Sequence, residues 1–187
     1  MKRTILALLF LGLPICGAAA PHYAFAELPT GVVLGEPGAL SIALGQSSMG
    51  WEFRWTASLF SRADVAVRVT GDNLFQPEFR VQLIRDLLPL QASALIGSDS
   101  FGFATTLLLG PVHVTFGRTW LESLSRRYGY TQWAATQHFT VIVGVEHQDG
   151  RWGPILGLRL HSKSSRLWGG SIIYYGGELR LSIGGAF

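Results

Sequence analysis

From about residue 38 onward the chain alternates apolar and polar positions with period two, and Gly, Pro, Asp and Ser interrupt the alternation. Residues 51–59 put Trp51, Phe53, Trp55, Ala57 and Leu59 on one face and Glu52, Arg54, Thr56 and Ser58 on the other. Residues 64–70 repeat the split, with Val65, Val67 and Val69 against Asp64, Ala66, Arg68 and Thr70. Residues 78–84 do so again, with Phe79, Val81 and Leu83 against Glu78, Arg80 and Gln82. Successive side chains of a strand point to opposite faces, so this pattern predicts strands, and the apolar spacing of three and four that a helix needs hardly persists anywhere. Further strands are predicted at 40–44, 90–96, 101–109, 112–116, 139–147, 155–161, 167–175 and 178–187. Gly110-Pro111, Asp149-Gly150 and Gly176-Gly177 sit between such runs and carry hairpin-turn chemistry, which makes neighbouring strands antiparallel. The predicted fold is an all-β, antiparallel up-and-down meander. One longer connection, residues 118–136, reads as a helical turn or an ordered loop.

Composition narrows the class. The chain has 187 residues, 48% of them apolar and 14% charged, with 23 Gly, which fits one folded domain and excludes a disordered or coiled-coil chain. The net charge is +3 and the basic residues form no run, so nucleic acid is not an expected partner. Met1-Lys2-Arg3 followed by the apolar residues 4–16 predicts a signal peptide, because the run is too short to span a membrane as a helix. Cleavage is expected after Ala26, with the cluster Gly17-Ala18-Ala19-Ala20 as the alternative, leaving residues 27–187 as a single domain. The one cysteine, Cys16, falls in the removed segment, so the exported protein has neither disulfide nor thiolate metal ligand. A lipoprotein site at Leu13-Pro14-Ile15-Cys16 is disfavoured by the bulk of Ile15 just before the cysteine.

Alternation alone does not separate a soluble sandwich from a membrane barrel. The last run supplies a further feature: Leu179, Leu181, Ile183, Gly185 and Phe187 share one face. It resembles the terminal strand of bacterial outer-membrane barrels, whose final aromatic and alternating apolar face form the signal read by their assembly machinery. The resemblance implies a transmembrane β-barrel of 8–12 strands in the cell outer membrane, with membrane lipid, lipopolysaccharide and the barrel-assembly machinery as partners. Such a barrel takes an even strand number; eleven runs are counted above, and residues 30–34 are the candidate for a twelfth. Runs such as 40–44 and 64–70 are shorter than the roughly 9 to 11 residues a spanning strand needs.

The polar faces carry both signs of charge: Glu52, Arg54, Asp64, Arg68, Glu78, Arg80, Arg159, Glu178 and Arg180. Every cation in this set is Arg, and the only Lys beyond the leader is Lys163, which suits forked, paired contacts inside a closed lumen better than a solvated surface. Trp51, Trp55, Phe79, Phe101, Phe103, Trp168 and Phe187 are expected in an interfacial aromatic girdle. A lumen so crowded implies a structural or interaction role or a narrow, charge-ringed pore.

Common enzyme signatures are absent: there is no phosphate loop, no paired zinc-ligand spacing and no GxSxG elbow, and the five His form no ligand pair. No metal or cofactor is expected. The stretch His161-Ser162-Lys163-Ser164-Ser165, with Glu178 on the next hairpin, is similar to the outer-membrane lipid A deacylases, which carry a His-x-Ser-Asn stretch followed by a Glu. It departs from them at Lys163 and lacks the Asn. A lipid A hydrolase using His161 with Ser162 or Ser164 is therefore one alternative. Arg118, Arg126, Arg127, Tyr128 and Tyr130 suit lipopolysaccharide phosphate and sugar. The remaining alternative is a secreted soluble β-barrel holding an apolar ligand.

Overall fold

A computed structural model describes residues 40–47, 50–60, 62–71, 75–87, 89–98, 100–121, 124–136, 138–161 and 168–186. The predicted leader, the candidate strand at 30–34, the stretch 162–167 and Phe187 lie outside them. Twelve strands follow in chain order: β1 (Leu40–Ser47), β2 (Gly50–Phe60), β3 (Ala63–Thr70), β4 (Phe75–Leu87), β5 (Leu90–Gly97), β6 (Ser100–Leu109), β7 (Val112–Leu121), β8 (Leu124–Thr136), β9 (Phe139–Gln148), β10 (Arg151–His161), β11 (Trp168–Tyr175) and β12 (Glu178–Ala186). Each pairs antiparallel with its sequence neighbours, and β12 returns to β1 with Ser41 opposite Ala186 and Gln46 opposite Leu181. The sheet is a closed up-and-down barrel, so no strand edge is left unpaired.

All eleven predicted runs are strands, and the twelfth comes from the predicted connection. Residues 118–121 continue β7, and residues 124–136 form β8, which pairs with β7 from Leu121↔Leu124 to Val112↔Trp133. Alternation missed β8 because neither of its faces is uniform: Arg126, Tyr128, Tyr130 and Gln132 share one side, while Ser125, Arg127, Thr131 and Trp133 share the other. The strands whose runs looked short gain residues from their flanks: β1 and β3 reach 8 residues, β2 and β10 reach 11, and β4 reaches 13. Asp149 (φ 52°) and Gly150 (φ 77°) turn β9 into β10, and Gly176 (φ 69°) and Gly177 (φ 78°) turn β11 into β12. Two successive positive φ values match the right-handed twist of a two-residue hairpin.

The wall is polar inside and apolar outside. Thr56, Asp64, Thr106, Thr140 and Arg159 are buried, while Val143, Val145, Leu156, Ile172 and Ile183, on the alternate positions, are each exposed over half or more of their surface. A soluble barrel around an apolar ligand would show the opposite arrangement, which removes that alternative. Outward aromatics cluster toward the rims: Trp51, Phe75, Phe101 and Trp152 at one end and Trp133 at the other. Trp55 and Phe79, expected in the girdle, instead lie at mid-height, opposite Val67 and Val65 of β3.

Candidate functional site

The two chain ends of the barrel meet at one rim, and the β1–β2, β3–β4, β5–β6, β7–β8, β9–β10 and β11–β12 connections all lie at the other, called here the far rim. Cross-strand register puts Glu52, Arg54, Asp64, Arg68, Glu78, Arg80, Arg159, Glu178 and Arg180 on the inward face. They divide into groups.

On β2, β3 and β4, the Glu78 carboxylate accepts from Arg54 with one oxygen and lies 3.1 Å from Arg68 Nη2 with the other. Arg68 Nε also lies 3.3 Å from Glu52. The pairing follows from register: Ala66 separates Thr56 from Glu78, while Arg54 stands directly opposite Arg68, so two guanidiniums flank one carboxylate. Arg54 and Glu78 retain only 8% and 10% side-chain exposure, so both charges are largely withdrawn from bulk water and depend on each other. A small cavity of about 10 Å³, room for about one water, lies between Arg54, Asp64, Glu78 and Arg80.

A second group, on β8, β9, β11 and β12, joins the expected Glu178 and Arg180 to Arg126 and Glu146, which the expected charge set did not include. Arg126 lies 3.4 Å from Glu146 and donates to Gln148 at 2.8 Å. Its guanidinium stacks 4.7 Å from the Tyr175 ring centroid, and Arg180 approaches the same ring at 5.5 Å. Arg180 also lies 3.7 Å from Glu178, and the Gly176 backbone N–H donates to Glu146. Arg126 could have been found by extending period two through 124–136 from the Tyr128/Tyr130 spacing, and Glu146 by following the face of Thr140 along the predicted run 139–147.

Toward the chain-end rim the lumen holds polar side chains, mostly uncharged, that pair across neighbouring strands. Thr106 and Thr115 are 2.9 Å apart, as are Ser171 and Ser182, and Gln82 donates to Gln91 at 2.9 Å. Arg159 donates to Gln132 at 3.3 Å.

Between these zones lies an apolar plug: Ala104, Tyr128, Tyr130, Ile142, Ile155 and Ile173, packed with Tyr175. Ile142, Ile155 and Ile173 have no exposed surface. Inward glycines make room for them. Gly117 faces Tyr128, whose hydroxyl reaches over it to donate to the Phe103 carbonyl at 3.2 Å; a Cβ on Gly117 would overlap that hydroxyl and ring. Gly144 lies between Tyr130 and Ile155, and Gly157 between Ile142 and Ile173. Small-against-large alternation across adjacent strands is how a barrel fills its interior at native packing density.

Of the proposed hydrolytic residues, Ser162 and Ser164 lie outside the described residues, and the backbones of His161 and Glu178 stand far apart. His161 is in register with Gly169 and Glu178 with Tyr175, six residues along β11, a separation of about 20 Å. The segment 118–130, expected to gather five phosphate-binding side chains, is divided by the wall: Arg126, Tyr128 and Tyr130 point into the lumen, and Arg118 and Arg127 point out. Among the described residues, no group of three His, Cys, Asp or Glu comes together as a metal site.

No protein-family model and no curated protein sequence matches the chain. Among solved structures the barrel is similar to the KdgM porin, alone and in complex with disordered oligogalacturonate. In both cases the TM-score is 0.61 at 10% identity, over 80% of this chain and 98% of the porin. A looser similarity, TM-score 0.42 at 10% identity over 80% of this chain and 96% of that one, is to Omp33 of Acinetobacter baumannii.

Proposed function

We propose that this chain is an integral outer-membrane β-barrel whose lumen is closed by its own side chains, and that it acts as a structural and interaction element of the membrane rather than as an open channel. The inverted wall supports membrane residence: an apolar exterior of this extent is stable only against acyl chains, and aromatics at the rims suit the headgroup layer. The shared fold with the KdgM porin agrees with that setting. The observation that carries the closed-lumen reading is the complete burial of Ile142, Ile155 and Ile173 inside the barrel. Isoleucines of three adjacent strands, packed with Tyr128, Tyr130 and Tyr175, exclude ions both by bulk and by dewetting.

Spin labels test the membrane reading. Labels at Phe53, Val67 and Ile183 are expected to relax with lipid-soluble oxygen, and labels at Arg54 and Arg68 are expected to be shielded from it. Outer labels reporting bulk water would sink the reading.

Planar-bilayer recording tests the plug. The wild-type barrel is expected to insert without porin-sized current steps, whereas Tyr130→Ala combined with Ile155→Ala is expected to produce them. Steady large steps from the unmodified protein would overturn closure.

A second reading, a narrow pore for small anions, is favoured by the inward charge balance among the described residues, seven arginines (54, 68, 80, 126, 151, 159 and 180) against five carboxylates (52, 64, 78, 146 and 178). The same recording separates the two readings, because a narrow pore gives small anion-selective steps before any substitution.

A further inference from the structure

The outer wall holds a feature that neither the plug nor the lumen charges use. Among the described outward-facing side chains of the strands, Arg118 on β7 and Arg127 on β8 are the only charged ones, and they stand directly opposite each other in the β7–β8 register. The row continues across the sheet: Phe103 pairs with Arg118, Arg127 with His147, and His147 with Trp152. No carboxylate lies among the described outward-facing side chains of β6 to β10.

Two like charges directly opposite on a ladder destabilise it, and a cation on the acyl-facing side of a barrel costs more the deeper it lies. In the lumen the arginines of β2 and β3 meet carboxylates. On the outer wall Arg118 is instead held in place by neutral groups. Its Nε donates to Ser125 Oγ at 2.8 Å, and its guanidinium lies 4.5 Å from the Trp120 centroid, with Phe101 stacked on that ring system at 4.6 Å. His147 packs against Trp152 at 4.9 Å, closing the other side of the row, while Arg127 between them is exposed. Arg118 is three residues from the last residue of β7, about 10 Å along the strand from the far rim, a depth at which headgroup phosphates meet the aromatic belt.

We propose that Arg118, Arg127 and His147 form an external site for the phosphate of an anionic membrane lipid. Guanidiniums on adjacent strands, with Cα atoms about 5 Å apart, span the oxygens of one phosphate, which accepts forked hydrogen bonds from both and cancels their repulsion. The flanking rings receive the lipid's upper acyl segment. The site rests on the membrane-barrel reading above.

The test uses the purified full-length barrel in a neutral detergent, with phosphatidylglycerol, phosphatidylcholine and inorganic phosphate as separate probes and native mass spectrometry as the readout. The expected result is one phosphatidylglycerol retained at least about tenfold more tightly than phosphatidylcholine, the size of one charge-assisted hydrogen bond. Arg118→Gln with Arg127→Gln should abolish the preference, and the exposed Arg127→Gln alone should weaken it, with heat-modifiable gel migration unchanged. Equal retention of the two lipids by a barrel that still inserts into vesicles overturns the site and leaves the membrane reading standing. Failure to insert into vesicles overturns both. Millimolar inorganic phosphate that binds the same residues and displaces the lipid overturns the assignment to lipid.

Discussion

Glu78→Ala is expected to destabilise the barrel by about 3–5 kcal/mol, the usual cost of removing one partner of a buried ion pair. The loss comes less from the missing attraction than from what stays behind. Glu78 is the shared acceptor of Arg54 and Arg68, and Arg54 keeps only 8% of its side-chain surface. Without the carboxylate, Arg54 faces Arg68 directly across the β2–β3 ladder, and the ion pair that remains to Arg68 is the one with Glu52. Glu78→Gln retains an acceptor and should lose less. Replacing Arg54 and Glu78 together by Met should come close to wild type, because the desolvation penalty disappears with the pair. The measurement is the urea midpoint of heat-modifiable gel migration in detergent micelles. A Glu78→Ala midpoint equal to wild type would mean that the lumen is wet enough to solvate a lone guanidinium.

Gly144→Val should be at least as severe, at about 3 kcal/mol or more, and should prevent closure in part of the population. A Cβ at residue 144 would overlap the Gly129 carbonyl oxygen and the Tyr130 Cβ, and it would lie 2.6 Å from the Tyr130 Cα. These are backbone or backbone-proximal atoms held by ladders on both sides of β9, so rotation of a side chain cannot relieve the clash. Gly170→Ala is the matched control, since its added Cβ would meet only the Ser182 carbonyl at 3.4 Å. At that site Ala should be neutral or slightly stabilising, because it removes freedom from the unfolded chain. Circular dichroism and gel migration after refolding into micelles report both variants. A Gly144→Val barrel that closes with wild-type yield would show that the plug is loosely packed.

Much of the architecture is legible in the residues themselves. Trp51 to Leu59 states both its conformation and its two faces, because a strand in a barrel wall sees a different medium on each side and its sequence must alternate accordingly. Asp149-Gly150 and Gly176-Gly177 fix two hairpins, because few other residues accept two successive positive φ values. β8 is illegible by the same logic. Tyr128 and Tyr130 are inside, where a polar residue is expected, and Arg127 is outside, where an apolar one is expected. A tyrosine ring packs in the plug while its hydroxyl finds a carbonyl, so the residue satisfies an interior that is neither wet nor greasy throughout.

By itself, the sequence determined the strand period, the turns and the separation of charge from aliphatic surface, since each depends on residues no more than a few positions apart. Only the closed sheet decided which charges meet, that isoleucines on three strands are buried together inside it, and that Arg118 and Arg127 share the outer wall. Those contacts join residues distant in the chain, and their pairing is set by cross-strand register, which local alternation leaves free by any even number of residues.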